Sequence, residues 1–451
     1  MPVFAPEFIA AASFGRWTRL PGGDAPVTGF TIDSRQLAPG QCFVALKTDK
    51  RDGHDFLPAA QAAGAAAAIV STPDPALSLP QLVVDDPLAA FQRIAGAHRR
   101  AFSGPVVGVS GSAGKTSTKE LLALLLSETP GDVLATEGNL NNHLGVPLTL
   151  LRLDPAKHRR AVIEAGIGGP GDMTPLAAMI EPDLAVITLV GPAHLEALGS
   201  LDGVAREKAK LPAGARPGAR KFFPAACLAY PAFRELAAPA IALEPRVVHG
   251  ADETRVAFVL DGSEHSFACR RVSDGMASNV ALALAAALSL GVTPAAAQAR
   301  LGGWRPAALR GELRRDERGR WLYVDCYNAN PASMHDALSV FAAVAPADQT
   351  RLYVIGGMEE LGAESVSYHH KFGAALAAAL RPGDAAVVLA APSAAEAVVV
   401  GAAHSAVVAV PDLDALRARF EVFAGAVFMK GSRRYRLESV LAPAGAPPAA
   451  H

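Results

Sequence analysis

The segment Gly108-Val-Ser-Gly-Ser-Ala-Gly-Lys-Thr116 lies between the short apolar run Pro105-Val-Val-Gly-Val109 and a leucine-rich stretch at 119–127. A strand, a glycine-rich loop and a helix in that order form the βα unit of a parallel sheet. Glycines let backbone N–H groups approach phosphate oxygens, and the helix N-terminus adds a potential favourable to anions. The phosphate-cradling residues are therefore Gly111, Ser112, Ala113, Gly114, Lys115, Thr116 and Ser117. Lys115 is placed to contact the β/γ-phosphates and the Thr116 hydroxyl to bind Mg²⁺. The usual loop has glycine where Val109 stands, so Gly108 and Gly111 supply the flexibility.

Short apolar runs recur on both sides of this unit. Gln41-Cys-Phe-Val-Ala-Leu46 reads as a strand, 59–66 as a helix and Ala67-Ala-Ile-Val70 as the next strand. Residues 8–14 read as a short buried helix. Further strands are expected at 161–163, 184–190, 321–324, 352–355, 385–389 and 426–429, and a helix at 278–290. Strands alternating with helices predict an α/β fold with largely parallel sheets covered on both faces. At 451 residues the chain has room for about three domains. Ser103-Gly-Pro105 and the stretch 306–311 are the expected boundaries, giving units 1–103, 104–305 and 306–451. The middle unit is a P-loop domain, and the last is a second, Rossmann-like sheet. The alanine- and proline-rich tail 442–451 is expected to fray.

Composition excludes several functions. A net charge of −1 gives no electrostatic footprint for nucleic acid. Cys42, Cys227, Cys269 and Cys326 form no CxxC pair, which argues against a zinc site and fits a reducing cytoplasm. No apolar stretch reaches the roughly 18 residues of a membrane span.

A phosphate loop alone does not define a reaction. Glu164 ends the 161–163 strand, and His194 follows the 184–190 strand. In open α/β sheets ligands gather at the carboxyl ends of strands, so the loop, the Glu and the His can converge on one metal–phosphate site. Taken singly, each is equally a solvated carboxylate or a hydrogen-bonded structural histidine.

Taken together, these segments resemble the Mur ligase family over nearly the whole chain. The N-terminal unit carries Ile32-Asp-Ser-Arg35, Phe43-Val-Ala-Leu46 and Asp52-Gly-His-Asp-Phe56. The middle carries the phosphate loop, Gly138-Asn-Leu-Asn-Asn142, Gly145-Val-Pro147, Glu164 and Ala193-His-Leu-Glu196. The last unit carries Asp325-Cys-Tyr-Asn-Ala-Asn-Pro331, Met358-Glu-Glu-Leu-Gly362 and Lys430-Gly-Ser-Arg433. The Tyr-Asn-Ala-Asn-Pro and Glu-Leu-Gly motifs resemble the member that adds D-alanyl-D-alanine to UDP-N-acetylmuramoyl-tripeptide.

The resemblance implies ATP-dependent ligation through an acyl phosphate, by a cytoplasmic enzyme expected to be a monomer. Ser34 and Arg35 would contact the UDP-linked substrate. Thr116 and Glu164 would hold Mg²⁺, with His194 on a second ion. Lys208, in Ala205-Arg-Glu-Lys-Ala-Lys210, resembles the lysine that many members carry as a carbamate, an oxygen ligand suited to Mg²⁺. Lys210 takes that place if the alignment shifts by two. Asn139 and Asn279 would face the nucleotide, the latter its adenine. Arg310 would meet a phosphate and Asp325 the ribose, with Asn328 and Asn330 near the dipeptide and nucleotide. The alternatives are a related amide ligase with another amine acceptor and a non-catalytic nucleotide-binding scaffold.

The chain departs from the family pattern at four places. Gly275 stands where many relatives have histidine, and Leu309 where a glycine usually precedes the arginine. Gly357 replaces a common aspartate. Phe223-Pro-Ala-Ala-Cys227 replaces a polar loop.

Overall fold

The computed structural model describes residues 2–22 and 26–442. The chain builds three αβ layers, each around its own sheet. The N-terminal sheet has the strand order Arg16–Trp17, Gln81–Val83, Ala67–Val70, Cys42–Val44, Phe30–Thr31. Only Arg16–Trp17 runs antiparallel to its neighbour. Helix Pro87–Ala101 starts at Asp86, whose carboxylate accepts from the backbone N–H groups of Leu88 and Ala89, and buries Phe91 and Ile94. The N-terminal helix spans Pro6–Ser13 and buries Ile9. The expected buried helix therefore ends a residue early. Phe14 takes a left-handed conformation as its C-cap and lies 84% exposed.

The central sheet is wholly parallel, in the order Ala240–Leu243, Arg220–Pro224, Leu184–Ile187, Val106–Ser110, Arg160–Glu164, Val133–Ala135. Of its inner strands, Val106–Ser110 and Leu184–Ile187 are buried throughout and Arg160–Glu164 at all but Arg160, as expected of a sheet covered on both faces. Helix Asp274–Ser289 starts one turn before the expected 278. Ser273 caps it by accepting from the Met276 N–H. Its many alanines let it lie close against the phosphate-loop helix Lys115–Leu126 in one apolar cluster. A three-stranded antiparallel sheet, Arg246–His249, Glu253–Leu260 and Ser263–Arg270, was not expected from periodicity.

The C-terminal sheet runs Glu312–Arg315, Trp321–Asp325, Ala426–Lys430, Arg351–Gly356, Ala385–Leu389, Val407–Ala409. All its neighbouring pairs are parallel except the first. All four cysteines are free and buried. Among the described residues no helix is long and apolar enough to cross a membrane. The tail expected to fray lies, from 443 on, outside the described residues.

Candidate active site

The loop between strand Val106–Ser110 and helix Lys115–Leu126 is held from several sides. Thr188 Oγ1 donates to the Ala113 carbonyl at 2.5 Å. The Ser112 hydroxyl donates to the Gly191 carbonyl at 2.9 Å and accepts from the Gly191 N–H at 3.0 Å. Gly111 has φ +151°, and a Cβ there would lie 1.8 Å from Thr188 Oγ1. Gly114 has φ +76°, and a Cβ there would lie 2.2 Å from Asn279 Nδ2. These two glycines are thus required by position, one for Thr188 and one for Asn279.

Lys115 folds back so that Nζ donates to the Gly111 carbonyl at 2.9 Å. Burial lowers its pKa below the ordinary lysine range, while the charge of Glu164 pulls it back up. Glu164 is 1% exposed. Its Oε1 accepts from Asn141 Nδ2 at 2.7 Å, and its Oε2 is buried with no hydrogen-bond partner. An orphaned carboxylate oxygen in a protein interior is costly unless a cation or donor meets it. Thr116 is buried at the start of the loop helix. A threonine hydroxyl, one carboxylate and phosphate oxygens form a donor set of the kind Mg²⁺ takes. The residues present therefore fit the ion, although no group of three or more His, Cys, Asp or Glu gathers among the described residues.

Lys208 lies inside helix Leu201–Ala213 and is 1% exposed. Burial lowers its pKa well below the ordinary lysine range, and repulsion from Lys115 lowers it further. The alternative lysine, Lys210, is half-exposed and pairs with Glu207 at 2.6 Å. His194 has φ 54° and begins the short helix Leu195–Leu198. Its Nδ1 pairs with Glu360 of the C-terminal layer.

A cavity of about 460 Å³ lies between the central and C-terminal layers. It gathers the loop from Ser112 to Ser117 with Glu164, Asn279, Arg310, Asp325, Asn328 and Asn330. Gly111, His194, Lys208 and Asn139 are not among its lining residues, and Asn139 is exposed. Ser34 and Arg35 lie apart on the N-terminal layer, where Arg35 pairs with Asp33 at 2.7 Å. That guanidinium holds the Asp33 carboxyl down to about 2.

The C-terminal side chains are more engaged with one another than their sequence positions indicate. Asp325 Oδ2 accepts from the buried Lys430 ammonium at 2.7 Å. Lys430 also donates to the Asn328 carbonyl at 3.2 Å. Asn330 caps helix Pro331–Val344, and its Nδ2 donates across the layers to the Ser112 carbonyl at 3.1 Å. Arg310 lies over the Tyr327 ring at 3.9 Å.

The departures can be placed in the structure. Leu309 adopts φ 62°, the conformation a glycine would take more easily. At Gly357 a Cβ would lie 2.8 Å from Tyr435 Oη, so the tyrosine takes the space a larger side chain would need. The Phe223–Cys227 segment continues a strand into a 3₁₀ turn, and Pro224 lines the cavity. Thr188 and Asp336 carry no motif signal, whereas Asn141, Glu360 and Lys430 lie inside the Asn-rich, Glu-Leu-Gly and Lys-Gly-Ser-Arg motifs, which by themselves give them no role.

Three family models match in chain order: the Mur ligase family catalytic domain at 26–99, the Mur ligase middle domain at 109–287 and the Mur ligase glutamate ligase domain at 309–433. The chain is 36% identical to the UDP-N-acetylmuramoyl-tripeptide–D-alanyl-D-alanine ligase of Escherichia coli, covering 80% of this chain and 81% of that relative. It is 31% identical to the same-named ligase of Bacillus subtilis, covering 78% of each. The fold superposes on a crystal structure of MurF from Acinetobacter baumannii with a TM-score of 0.86, at 27% identity and 98% coverage of both chains. It also superposes on the MurF ligase of Thermotoga maritima in complex with ADP, with a TM-score of 0.77 at 26% identity, covering 92% of this chain and 96% of that one. With the phosphate loop, the orphaned carboxylate and the layered sheets in one arrangement, the chain belongs to the Mur ligase family.

Proposed function

We propose that this chain joins D-alanyl-D-alanine to UDP-N-acetylmuramoyl-tripeptide, converting ATP to ADP and phosphate and yielding the UDP-muramoyl-pentapeptide. The observation that carries this reading is the single cavity walled by the phosphate loop and Glu164 on one side and by Asn328 and Asn330 on the other. A phosphate donor and an amine acceptor can meet there. The named activity of the relatives supports the choice of both substrates.

A carboxylate oxygen of the tripeptide attacks the γ-phosphorus, and ADP leaves. The amine of the dipeptide then attacks the acyl carbon, its nitrogen gives up a proton, and phosphate leaves as the amide forms. Lys115 exchanges its bond to the Gly111 carbonyl for phosphate oxygens, so its charge offsets the approach of two anions. The loop amides and the helix N-terminus hold the same oxygens. Thr116 and Glu164 would hold Mg²⁺, and His194 and a carbamylated Lys208 would serve a second ion. When bound, the metal supplies Lewis-acid neutralisation of the phosphoryl charge. A buried, neutral lysine amine is the form that reacts with carbon dioxide, which fits the lowered pKa of Lys208.

Asn279 faces the nucleotide, Arg310 a phosphate and Asp325 the ribose, all from the cavity wall. Ser34 and Arg35 bind the UDP-linked substrate. The working units are 1–103 for the UDP-sugar peptide, 104–305 for ATP and 306–451 for the dipeptide. The enzyme acts as a cytoplasmic monomer.

Mass spectrometry of the nucleotide product tests the acceptor. Supplied with ATP, Mg²⁺ and UDP-muramoyl-tripeptide, the chain is expected to add D-alanyl-D-alanine in preference to L-alanine, D-glutamate or a diamino acid. Equal or better use of a single amino acid would reassign the acceptor.

A further inference from the structure

Gly275 leaves a gap at the first turn of helix Asp274–Ser289, and a side chain from another layer fills it. The Asp336 carboxylate, on helix Pro331–Val344, accepts from the Gly275 N–H at 2.9 Å through Oδ1. Its Oδ2 accepts from the Ser273 hydroxyl at 2.5 Å. A Cβ on residue 275 would lie 2.7 Å from Oδ2, so Asp336 can hold this place only beside glycine. The same carboxylate lines the cavity that contains the phosphate loop.

Gly275 and Asn279 are four residues apart and share one helix face. Asn279 stands against Gly114 of the phosphate loop. The face therefore runs from the phosphates at Gly114 to Asp336, roughly 6 Å of helix between the two residues. Gly114, Asn279, Gly275 and Asp336 line one cavity, so a nucleotide with its phosphates on the loop has room for its base along this face. Each Asp336 oxygen has accepted one hydrogen bond and keeps a lone pair. Such an acceptor suits the exocyclic amine of adenine and opposes the carbonyl oxygen that guanine presents at the same position.

We propose that Asp336 is a base-reading residue of the nucleotide site, selecting adenine over guanine from the space that Gly275 leaves open. Burial raises the pKa of the Asp336 carboxyl, in keeping with a desolvated group awaiting a donor. The proposal rests on the ATP site described under Proposed function.

The test is calorimetric binding of ADP and of GDP, each with Mg²⁺, to the full chain, to Asp336→Ala and to Asp336→Asn. The wild type is expected to prefer ADP. Asp336→Ala should weaken ADP by roughly tenfold or more, the loss of one hydrogen bond to a charged group, and leave GDP unchanged. Asp336→Asn is isosteric and can turn its amide toward guanine, so it should narrow the preference even if Asp336→Ala does not fold. An unchanged ADP preference in both variants, or an equal loss of both nucleotides, would make Asp336 a tie between layers only and overturn the proposal. A wild type that binds neither nucleotide would overturn the ATP site and the proposal together.

Discussion

Asn141 donates its side-chain amide to Oε1 of Glu164 at 2.7 Å and leaves Oε2 buried and unpartnered. The pair spans a loop and a strand end, and Glu164 lines the same cavity as the phosphate loop. Replacing Asn141 with alanine removes the donor that orients the carboxylate. A hydrogen bond to a charged group contributes about 1.5–3 kcal/mol. Asn141→Ala should therefore unfold at lower urea and require more Mg²⁺ for half-maximal turnover. An unchanged Mg²⁺ requirement would separate Asn141 from the metal site.

Gly111 tests whether the loop must keep its shape. An alanine Cβ would collide with Thr188 Oγ1, which also anchors the Ala113 carbonyl. Overpacking costs about 1–3 kcal/mol. Spent on the loop, that corresponds to roughly a ten- to hundredfold loss of ADP affinity. Titration of ADP into Gly111→Ala measures it, and wild-type affinity would mean that the loop tolerates a displaced Thr188.

His194 reaches across the layers to Glu360, and both hold left-handed backbone conformations. The hydrogen bond from His194 keeps the Glu360 carboxyl below its usual range. Glu360→Ala frees the ring and loosens the contact between the two layers. Turnover should fall by roughly tenfold. ADP affinity should change much less, because Glu360 reaches the phosphate loop only through its charge on Lys115. Steady-state kinetics beside ADP titration resolves the two, and a loss confined to ADP affinity would contradict this role.

Much of the chemistry was legible because it sits in contiguous motifs. Gly-Lys-Thr between an apolar run and a leucine-rich helix specifies its own local structure, and Glu164 follows directly from a strand of three apolar residues. Contacts between distant segments were not legible. Nothing local to Asp336 indicates that it meets Gly275 some sixty residues earlier, and Lys430 and Asp325 are brought together only by the pairing of their strands. The antiparallel hairpin Glu253–Leu260 and Ser263–Arg270 did carry a signal. Asp261-Gly262 is a tight-turn dipeptide between the two strands, and Asp261 takes φ 50°. The parallel βα pattern of the surrounding chain masks it.

The buried thiols set a pH limit on the fold. Burial pushes Cys227 up to about 12 and Cys269 up to about 11, from an ordinary 9.0. Folded pKa values above the unfolded one mean that the unfolded chain loses these protons first. The stability they contribute is complete below pH 9 and is lost as pH rises through about 11 to 12. Urea midpoints should fall across that window. At pH 8 the native chain should resist a thiol reagent that labels all four cysteines once the chain is unfolded. Rapid labelling of the native chain at that pH would contradict the burial.

Phosphate release is the most direct measure of the proposed ligase chemistry. Purified chain is mixed with ATP, Mg²⁺ and UDP-muramoyl-tripeptide, with and without D-alanyl-D-alanine, beside a Lys115→Ala control. Sustained release is expected only when both substrates are present, and none from the Lys115→Ala protein. Release that does not depend on the dipeptide, or no release with both substrates present, would contradict the assignment.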